Sequence, residues 1–355
     1  MKVKDKDGGA TVFTIAIFFI GLFVGAGFMS GQELWQFFGK YKGIGVIFLV
    51  LGAFLQGFLG FFIVKTANKN QAYNLNFLPF KNNKILNSIF SFAQIIFTFF
   101  TVGIMIAGAN SLYESLFLKS GFWFSVLFTF LVGVTAYFGI DGIVLIFKVV
   151  MPMLIIISAI IFFVTLRKNN SFSNVFLVKI SVKDAFNALK DSLIYVFHNV
   201  YLGLALLIPF SKKVKNNEVS IKGFLLSSLA FSVFSVFILT PLIINSNFAV
   251  YSLPLLELSK TVSPFIFYLF AFFLCVAMYS SCLSSSVAII DFLTKKKPSF
   301  LSNKVFVISV CMAICFAFSL IGFKSLISLI YPISGYLGIF FVFCLVFYSR
   351  KAKIK

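Results

Sequence analysis

The chain has 355 residues, of which 60% are hydrophobic and 11% are charged, and its mean hydropathy is +1.04. A soluble domain of this length carries about 25% charged residues, so the composition excludes a water-soluble globule and predicts a chain surrounded largely by lipid. The formal net charge of +20 does not indicate nucleic-acid binding, because the basic residues lie between apolar segments rather than on one polar face.

Ten apolar segments follow one another along the chain, separated by short polar or basic connections. Each is long enough to cross roughly 30 Å of hydrocarbon. The segments are 12–38, 43–64, 86–112, 122–139, 142–166, 185–210, 223–246, 264–293, 304–322 and 325–349. They predict an all-α membrane protein with about ten transmembrane helices.

The distribution of Lys and Arg predicts the orientation of these spans. With the N-terminus in the cytoplasm, 19 basic residues fall on the cytoplasmic side and 9 on the opposite side. Cytoplasmic connections are enriched in Lys and Arg. We therefore expect a multi-pass protein of the cytoplasmic membrane with both termini in the cytoplasm.

The first segment contains an interruption. The small and polar residues in it are Gly21, Gly25, Gly27, Ser30, Gly31, Gln32 and Glu33. Each glycine costs a helix about 1 kcal/mol relative to alanine, and an ionisable residue at membrane depth is usually functional. The pattern predicts a broken helix whose free carbonyls bind a cation and whose restarted half faces an anionic group. The alternative is close Gly-xxx-Gly packing between helices, which leaves the polar residues unexplained.

The connection at about 167–184 divides the spans into two sets of five, 12–166 and 185–349, within one polytopic domain. An odd number of spans in each set reverses the orientation of the second set, as in the inverted repeats of secondary transporters. In the fifth segment, Lys148 either snorkels to the interface or places an ammonium where a cation would bind.

The sixth segment contains polar residues at helical spacing, followed by Gly203, and predicts a second broken helix. The polar residues are Asn187, Asp191, Tyr195, His198 and Asn199. They form a stripe that faces the bundle interior. His198, the only histidine, is either an interhelical hydrogen-bonding residue or a proton carrier. Asp191 lies nearer the outer end of the span, where a local ion pair or snorkelling is the alternative to a coupling role.

The eighth segment has five serines within seven positions, at 280, 281, 284, 285 and 286. Hydroxyl oxygens suit Na⁺, whereas the alternative is that they bond back to their own helix. The five cysteines all lie in apolar segments, where thiols behave as small hydrophobes. Without a Cys/His cluster we expect no transition-metal site.

The run Val24–Gly39, VGAGFMSGQELWQFFG, resembles the first span of the YkvI-type bacterial membrane proteins. More distantly, the chain is similar to the amino acid–polyamine–cation superfamily, with its five-plus-five LeuT-type inverted repeat. Segments 139–152, 188–213 and 279–293 are similar to the fifth, sixth and eighth spans of sodium-coupled symporters of this type. This resemblance implies a solute site between broken first and sixth spans and a sodium site between the first and eighth.

The resemblance also implies site residues. The implied sodium ligands are the carbonyls of Gly21, Val24 and Ala277 and the hydroxyls of Ser280 and Ser281. The implied solute site contains Gly25, Ala26, Gly27, Tyr195, Phe197 and Asn199, to which the interruption itself adds Ser30 and Glu33.

The chain also departs from the symporter pattern. Gly31 stands where those symporters carry the arginine of the outer gate, so the gate differs, and Gln32 and Glu33 have no counterpart there. Lys148 matches a cytoplasm-proximal lysine of the sodium-coupled proteins, while in some proton-coupled relatives a fifth-span lysine replaces sodium.

Together these features predict an ion-coupled secondary transporter, with Na⁺ as the coupling ion, for an amino acid or similar zwitterion. The alternatives are an H⁺-coupled transporter that uses Lys148, Asp191 and His198, or a passive channel or facilitator. An enzyme is not expected, because the chain has one histidine, few intramembrane acids and no nucleophile motif. The expected partners are a small solute and the bilayer, with no nucleic acid and no cofactor beyond the coupling ion.

Overall fold

The computed structural model describes residues 9–71, 73, 84–138, 143–168, 181–295 and 303–351, without the side chains of 84, 87, 143–148, 295 and 348–351. All regular structure in these ranges is helical, and it forms ten spans in the order predicted. Span 1 consists of three pieces, Val12–Phe23, Ala26–Met29 and Gln32–Phe37. Each further span is one helix: Lys42–Lys69, Lys84–Phe117, Phe122–Phe138, Ile143–Lys168, Val182–Phe210, Asn217–Ile244, Pro264–Lys295, Lys304–Ser319 and Phe323–Lys351 (spans 2–10).

Short helical pieces occupy three connections. A 3-10 turn at Gly39–Tyr41 joins spans 1 and 2, and another at Ser211–Lys213 joins spans 6 and 7. Between spans 7 and 8 lie the 3-10 helix Ser246–Val250 and the α-helix Pro254–Ser259.

Length and composition identify a multi-pass membrane protein. Seven helices are long and apolar enough to cross a bilayer, and three shorter apolar helices occur at Val12–Phe23, Phe122–Phe138 and Lys304–Ser319. The first of these is short because span 1 is interrupted, and its three pieces together cover residues 12–37. Large apolar side chains point outwards, such as Trp123, 78% exposed, and Phe130, 65% exposed, as lipid contact requires.

The packing of the spans follows a reciprocal pattern. Span 1 packs on span 7, and span 6 packs on span 2, while spans 3 and 8 pack on each other. Span 3 also packs on span 9, as span 8 does on span 4. When each of spans 1–5 is matched with the span five places later, every pairing named here corresponds to another one in the set or to itself. This correspondence agrees with an inverted repeat. The boundaries 12–166 and 185–349 stay a prediction.

The predicted break in span 6 is wrong, because Val182–Phe210 is one continuous helix. Span 6 has a single glycine among its polar residues, and Gly203 serves packing, since a Cβ there would lie 3.0 Å from the Phe23 ring of span 1. Pro209 lies in the last turn, so its missing N–H affects only the end of the helix. A polar stripe alone therefore does not interrupt a helix.

Candidate functional site

The break in span 1 is confirmed, and it begins where the first piece ends at Phe23. The Val24 N–H still donates to Ile20 (2.9 Å), but the Gly25 N–H turns back to the Phe23 carbonyl (3.0 Å) instead of Gly21. Gly25 is extended, with φ −105° and ψ −177°, and the helix restarts at Ala26. In the described part of the chain, the carbonyls of Gly21 and Val24 accept no backbone hydrogen bond. Two carbonyls are therefore left open beside the break.

A second irregularity follows at Ser30 and Gly31. Gly31 has φ +82°, the left-handed region that favours glycine. The Ser30 hydroxyl donates to the Gly27 carbonyl (2.7 Å) and accepts from the Gln32 N–H (3.2 Å). The Ser30 carbonyl accepts from the Leu255 N–H (2.9 Å), which ties this turn to the helix between spans 7 and 8. The last piece of span 1 consequently starts in a fixed orientation.

Glu33 lies on that last piece and is 6% exposed. The Tyr331 hydroxyl of span 10 donates to Glu33 Oε1 (2.5 Å). The carboxylate rests directly against Gly27, because a Cβ at position 27 would overlap Glu33 Oε1. Glycine at position 27 thus makes room for the carboxylate beside the break.

Side chains of span 6 and span 10 support the bond to Glu33. The His198 ring stacks on the Tyr331 ring, with centroids 3.7 Å apart. His198 Nδ1 bonds the Ser334 hydroxyl, which also lies 3.0 Å from the Ile330 carbonyl of its own helix. His198 is therefore an interhelical hydrogen-bonding residue, and it packs against the tyrosine that holds Glu33.

Spans 6 and 2 add further buried polar groups. Tyr195 packs against Phe37 and Phe38, with both centroid distances at 5.3 Å. Its hydroxyl faces Glu33 and Asn199 but has no hydrogen-bond partner within the described part of the chain. Asn199 Nδ2 donates to Gln56 Oε1 of span 2 (3.3 Å). We call the following seven buried side chains the polar cluster: Glu33, Gln56, Tyr195, His198, Asn199, Tyr331 and Ser334.

Sequence reasoning missed three members of this cluster. Gln56, Tyr331 and Ser334 lie in spans 2 and 10, outside the predicted solute site, and nothing in their local sequence marks them. Gln32, which belongs to the predicted interruption, is fully buried, and neither its amide nitrogen nor its amide oxygen has a partner among the described residues.

Other predicted residues lie elsewhere. Phe197 places its backbone carbonyl against Gly338 of span 10. In span 8, the Ser280 hydroxyl donates to the Val276 carbonyl (2.8 Å), and Ser284 and Ser286 also bond back to their helix. Ser281 is partly buried. Span 8 does pack on the Ala26–Met29 piece of span 1, next to the open carbonyls. The side chain of Lys148 is outside the described residues.

Asp191 of span 6 lies apart from Glu33, and its side chain contacts the connection between spans 1 and 2. Its Oδ2 is 2.7 Å from Lys40 Nζ and accepts from the Tyr41 hydroxyl (2.8 Å). Asp191 is therefore ion-paired, but with Lys40 rather than with the adjacent Lys190, so the local ion pair expected from sequence is wrong in its partner.

We expect the Asp191→Asn variant to unfold with a free energy within about 1 kcal/mol of the wild type, because Lys40 is half exposed and such pairs contribute little. Solute uptake should persist. Thermal unfolding in detergent together with uptake in proteoliposomes checks both statements. Complete loss of uptake at unchanged stability would restore Asp191 as a coupling residue.

A cavity of about 540 Å³ lies between spans 4 and 9, away from the polar cluster. Its lining includes Phe130, Val134 and Met312, and the first two are exposed to the membrane. Because this groove is almost entirely apolar, it offers few groups to orient a polar solute. The chemistry of the site lies at the break in span 1 instead.

Comparisons with known proteins agree with this arrangement. The chain is 24% identical to the YyaD protein of Bacillus subtilis over 342 residues, covering 95% of this chain and 96% of YyaD. It is also 24% identical to the membrane protein YkvI of Bacillus subtilis over 359 residues, covering 96% of each. No family model matches the chain.

Two solved structures share the fold. MhsT in complex with L-phenylalanine superposes with a TM-score of 0.66 at 13% identity, over 91% of this chain and 86% of MhsT. The inward-facing conformation of Mhp1 gives a TM-score of 0.63 at 14% identity, over 94% of this chain and 74% of Mhp1. The chain has the LeuT fold. Its similarity to YkvI over 96% of each chain bears out the resemblance expected from the first span, and the two structures confirm the predicted fold apart from the break in span 6.

Proposed function

We propose that this protein is a secondary transporter that moves a small solute by alternating access. The observation that carries the proposal is the break at Val24–Gly25, in the interior of a LeuT-fold bundle, with the buried carboxylate of Glu33 against Gly27. Irregular backbone at membrane depth is tolerated where it forms a site. The Gly31 turn and the bond from Leu255 to Ser30 connect this site to the helix between spans 7 and 8.

The proposed solute is an amino acid or similar zwitterion. MhsT, which has the same fold, binds L-phenylalanine. In this chain the candidate contacts are the backbone at Gly25–Gly27 and the side chains of Ser30, Glu33, Tyr195 and Asn199. Phe197 is the weakest member of the predicted set, because its carbonyl is committed to the contact with span 10.

The proposed coupling ion is Na⁺. The open carbonyls of Gly21 and Val24 are hard oxygen ligands, and the Ser280 and Ser281 hydroxyls and the Ala277 carbonyl of span 8 are the remaining candidates. Of the three residues that an H⁺-coupled mechanism would use, Asp191 and His198 are engaged with Lys40 and Ser334, respectively, and the side chain of Lys148 lies outside the described residues. Sodium coupling therefore has the more specific support.

Uptake into proteoliposomes tests the proposal. Purified protein should accumulate at least one labelled amino acid when an inward Na⁺ gradient is applied. Uptake should saturate with solute, and it should collapse when an ionophore dissipates the gradient. Absence of uptake across all twenty amino acids, or a flux that ignores the gradient and does not saturate, would contradict a coupled transporter.

The Ser281→Ala variant is expected to lose most of the Na⁺ dependence of uptake, because it removes one hydroxyl ligand and leaves the fold intact. Ser284→Ala is the matched control in the same helix, since the Ser284 hydroxyl already bonds the Ser280 carbonyl (2.9 Å). Uptake as a function of Na⁺ concentration is the measurement. If both variants keep the wild-type Na⁺ dependence, the sodium site lies elsewhere.

A further inference from the structure

Two acidic side chains are buried in the described part of the chain, and they differ in their partners. Glu33 and Glu257 are each 6% exposed. Glu257 Oε2 lies 2.8 Å from Lys260 Nζ. Among the described residues, no lysine or arginine lies within ion-pair distance of Glu33. A buried carboxylate needs a counter-charge or a proton, so Glu33 calls for either a proton or a cation from outside the described part of the chain.

The surroundings of Glu33 suit a small organic cation. The Tyr331 hydroxyl holds one carboxylate oxygen (2.5 Å), and the unpartnered Tyr195 hydroxyl lies beside it. The Phe37 ring centroid is 5.3 Å from that of Tyr195 and 6.2 Å from that of Tyr331. Ring faces and hydroxyl lone pairs both attract an ammonium group.

The next residue supplies neutral polar groups. Both polar atoms of the Gln32 amide are buried without a partner among the residues that the structure describes, and a buried amide left unpaired costs free energy. This amide offers a donor and an acceptor, but no charge. Since the described side chains of the polar cluster include no arginine or lysine, no charged side chain there pairs with a carboxylate of the solute.

We propose that Glu33, with Tyr195 and Tyr331, binds the ammonium group of the solute and that the solute needs no carboxylate. This inference rests on the proposed function for its setting, and it extends the substrate class from zwitterions to organic amines. Glu33 contacts the solute directly, while Tyr331 positions the Glu33 carboxylate.

Ligand-induced thermal shifts of the purified full chain test the inference with matched probes. One set is phenethylamine, L-phenylalanine and 3-phenylpropanoate, and the other is isopentylamine, L-leucine and 4-methylpentanoate. Within each set the probes differ in their charged groups. We expect the amine to raise the Tm in at least one set and the acid to raise it in neither. If no amine shifts the Tm, or an acid binds as tightly as its amine, the inference is overturned.

Variants connect the binding to Glu33. Glu33→Gln should weaken amine binding by about tenfold or more, because it removes a charge-assisted contact. Glu114→Gln, which removes an equally negative but exposed side chain at the end of span 3, should not change it. If Glu33→Gln does not fold, Tyr331→Phe takes its place, because this variant keeps the carboxylate and removes only its hydrogen bond. We then expect a smaller loss of amine affinity, with the preference for the amine over its acid unchanged. Wild-type amine affinity in either Glu33→Gln or, failing that, Tyr331→Phe overturns the inference.

Two further measurements distinguish this inference from a sodium site at Glu33 and from the proposed function. Na⁺ alone, added in place of a probe, should not give a shift that depends on Glu33; if it does, the carboxylate is a sodium ligand and the inference is overturned. Amine binding without gradient-driven uptake contradicts the proposed function only. Gradient-driven uptake that is unchanged in Glu33→Gln contradicts the inference only.

Discussion

The Gly338→Ala variant is expected to be destabilised by about 1–3 kcal/mol, the range for overpacking a close helix contact. A Cβ at position 338 would overlap the Phe197 carbonyl of span 6. One turn earlier, a Cβ at Gly335 would lie 2.5 Å from the Ile194 carbonyl. Both contacts are with backbone, which cannot rotate aside as a side chain can, so span 10 must move away from span 6.

That movement should also disturb the site. Tyr331 and Ser334 lie on span 10 one to two turns before Gly338, and they bond Glu33 and His198. We therefore expect Gly338→Ala to lower both the Tm of the purified protein and its affinity for solute. Gly133→Ala in span 4 is the control, because its new methyl would meet its nearest neighbour at an ordinary 3.5 Å. Equal Tm values for the two variants would show that spans 6 and 10 are less tightly packed than described.

The ten spans and the break in span 1 could be predicted from sequence because both are local properties. Apolar length identifies a span, and the glycines at 25 and 31 produced the irregular backbone where they stand. The predicted break in span 6 was wrong, because polar side chains do not by themselves make the backbone irregular. Asp191 and His198 looked like part of an interruption, but their side chains find partners outside span 6, and the helix keeps its backbone bonds.

Three of the seven members of the polar cluster, Gln56, Tyr331 and Ser334, could not be predicted, because they meet their partners across the bundle. Tyr331 lies 298 positions from Glu33, and Ser334 lies 136 positions from His198. In an apolar segment a tyrosine or serine carries no sign of its partner. The same holds for Asp191, whose partner is Lys40 rather than the adjacent Lys190. The sequence identified Glu33, whereas Tyr331, which positions the Glu33 carboxylate, could be identified only from the structure.

The Gly27→Ala variant tests whether the position of the Glu33 carboxylate matters, because it should move the carboxylate without removing its charge. The added methyl would overlap Glu33 Oε1, and since the carboxylate ends a flexible side chain, it can move aside at small cost to the fold. Moving it breaks the bond from Tyr331. The lost bond itself costs the fold no more than the roughly 1.5–3 kcal/mol that a hydrogen bond to a charged group contributes. Solute affinity should fall about tenfold or more, because the displaced carboxylate also loses its charge-assisted contact with the ammonium group of the solute.

Gly25→Ala provides the comparison for this prediction. It adds the same methyl two residues earlier, where no heavy atom lies within 4 Å of the new Cβ. Its φ of −105° is open to alanine, so the Glu33–Tyr331 bond should persist and solute affinity should fall much less than in Gly27→Ala. Equal losses in the two variants would mean that the break needs flexible backbone at both glycines. A selective loss in Gly27→Ala would instead show that the function depends on where the Glu33 carboxylate lies, since both variants leave the charge of that residue unchanged.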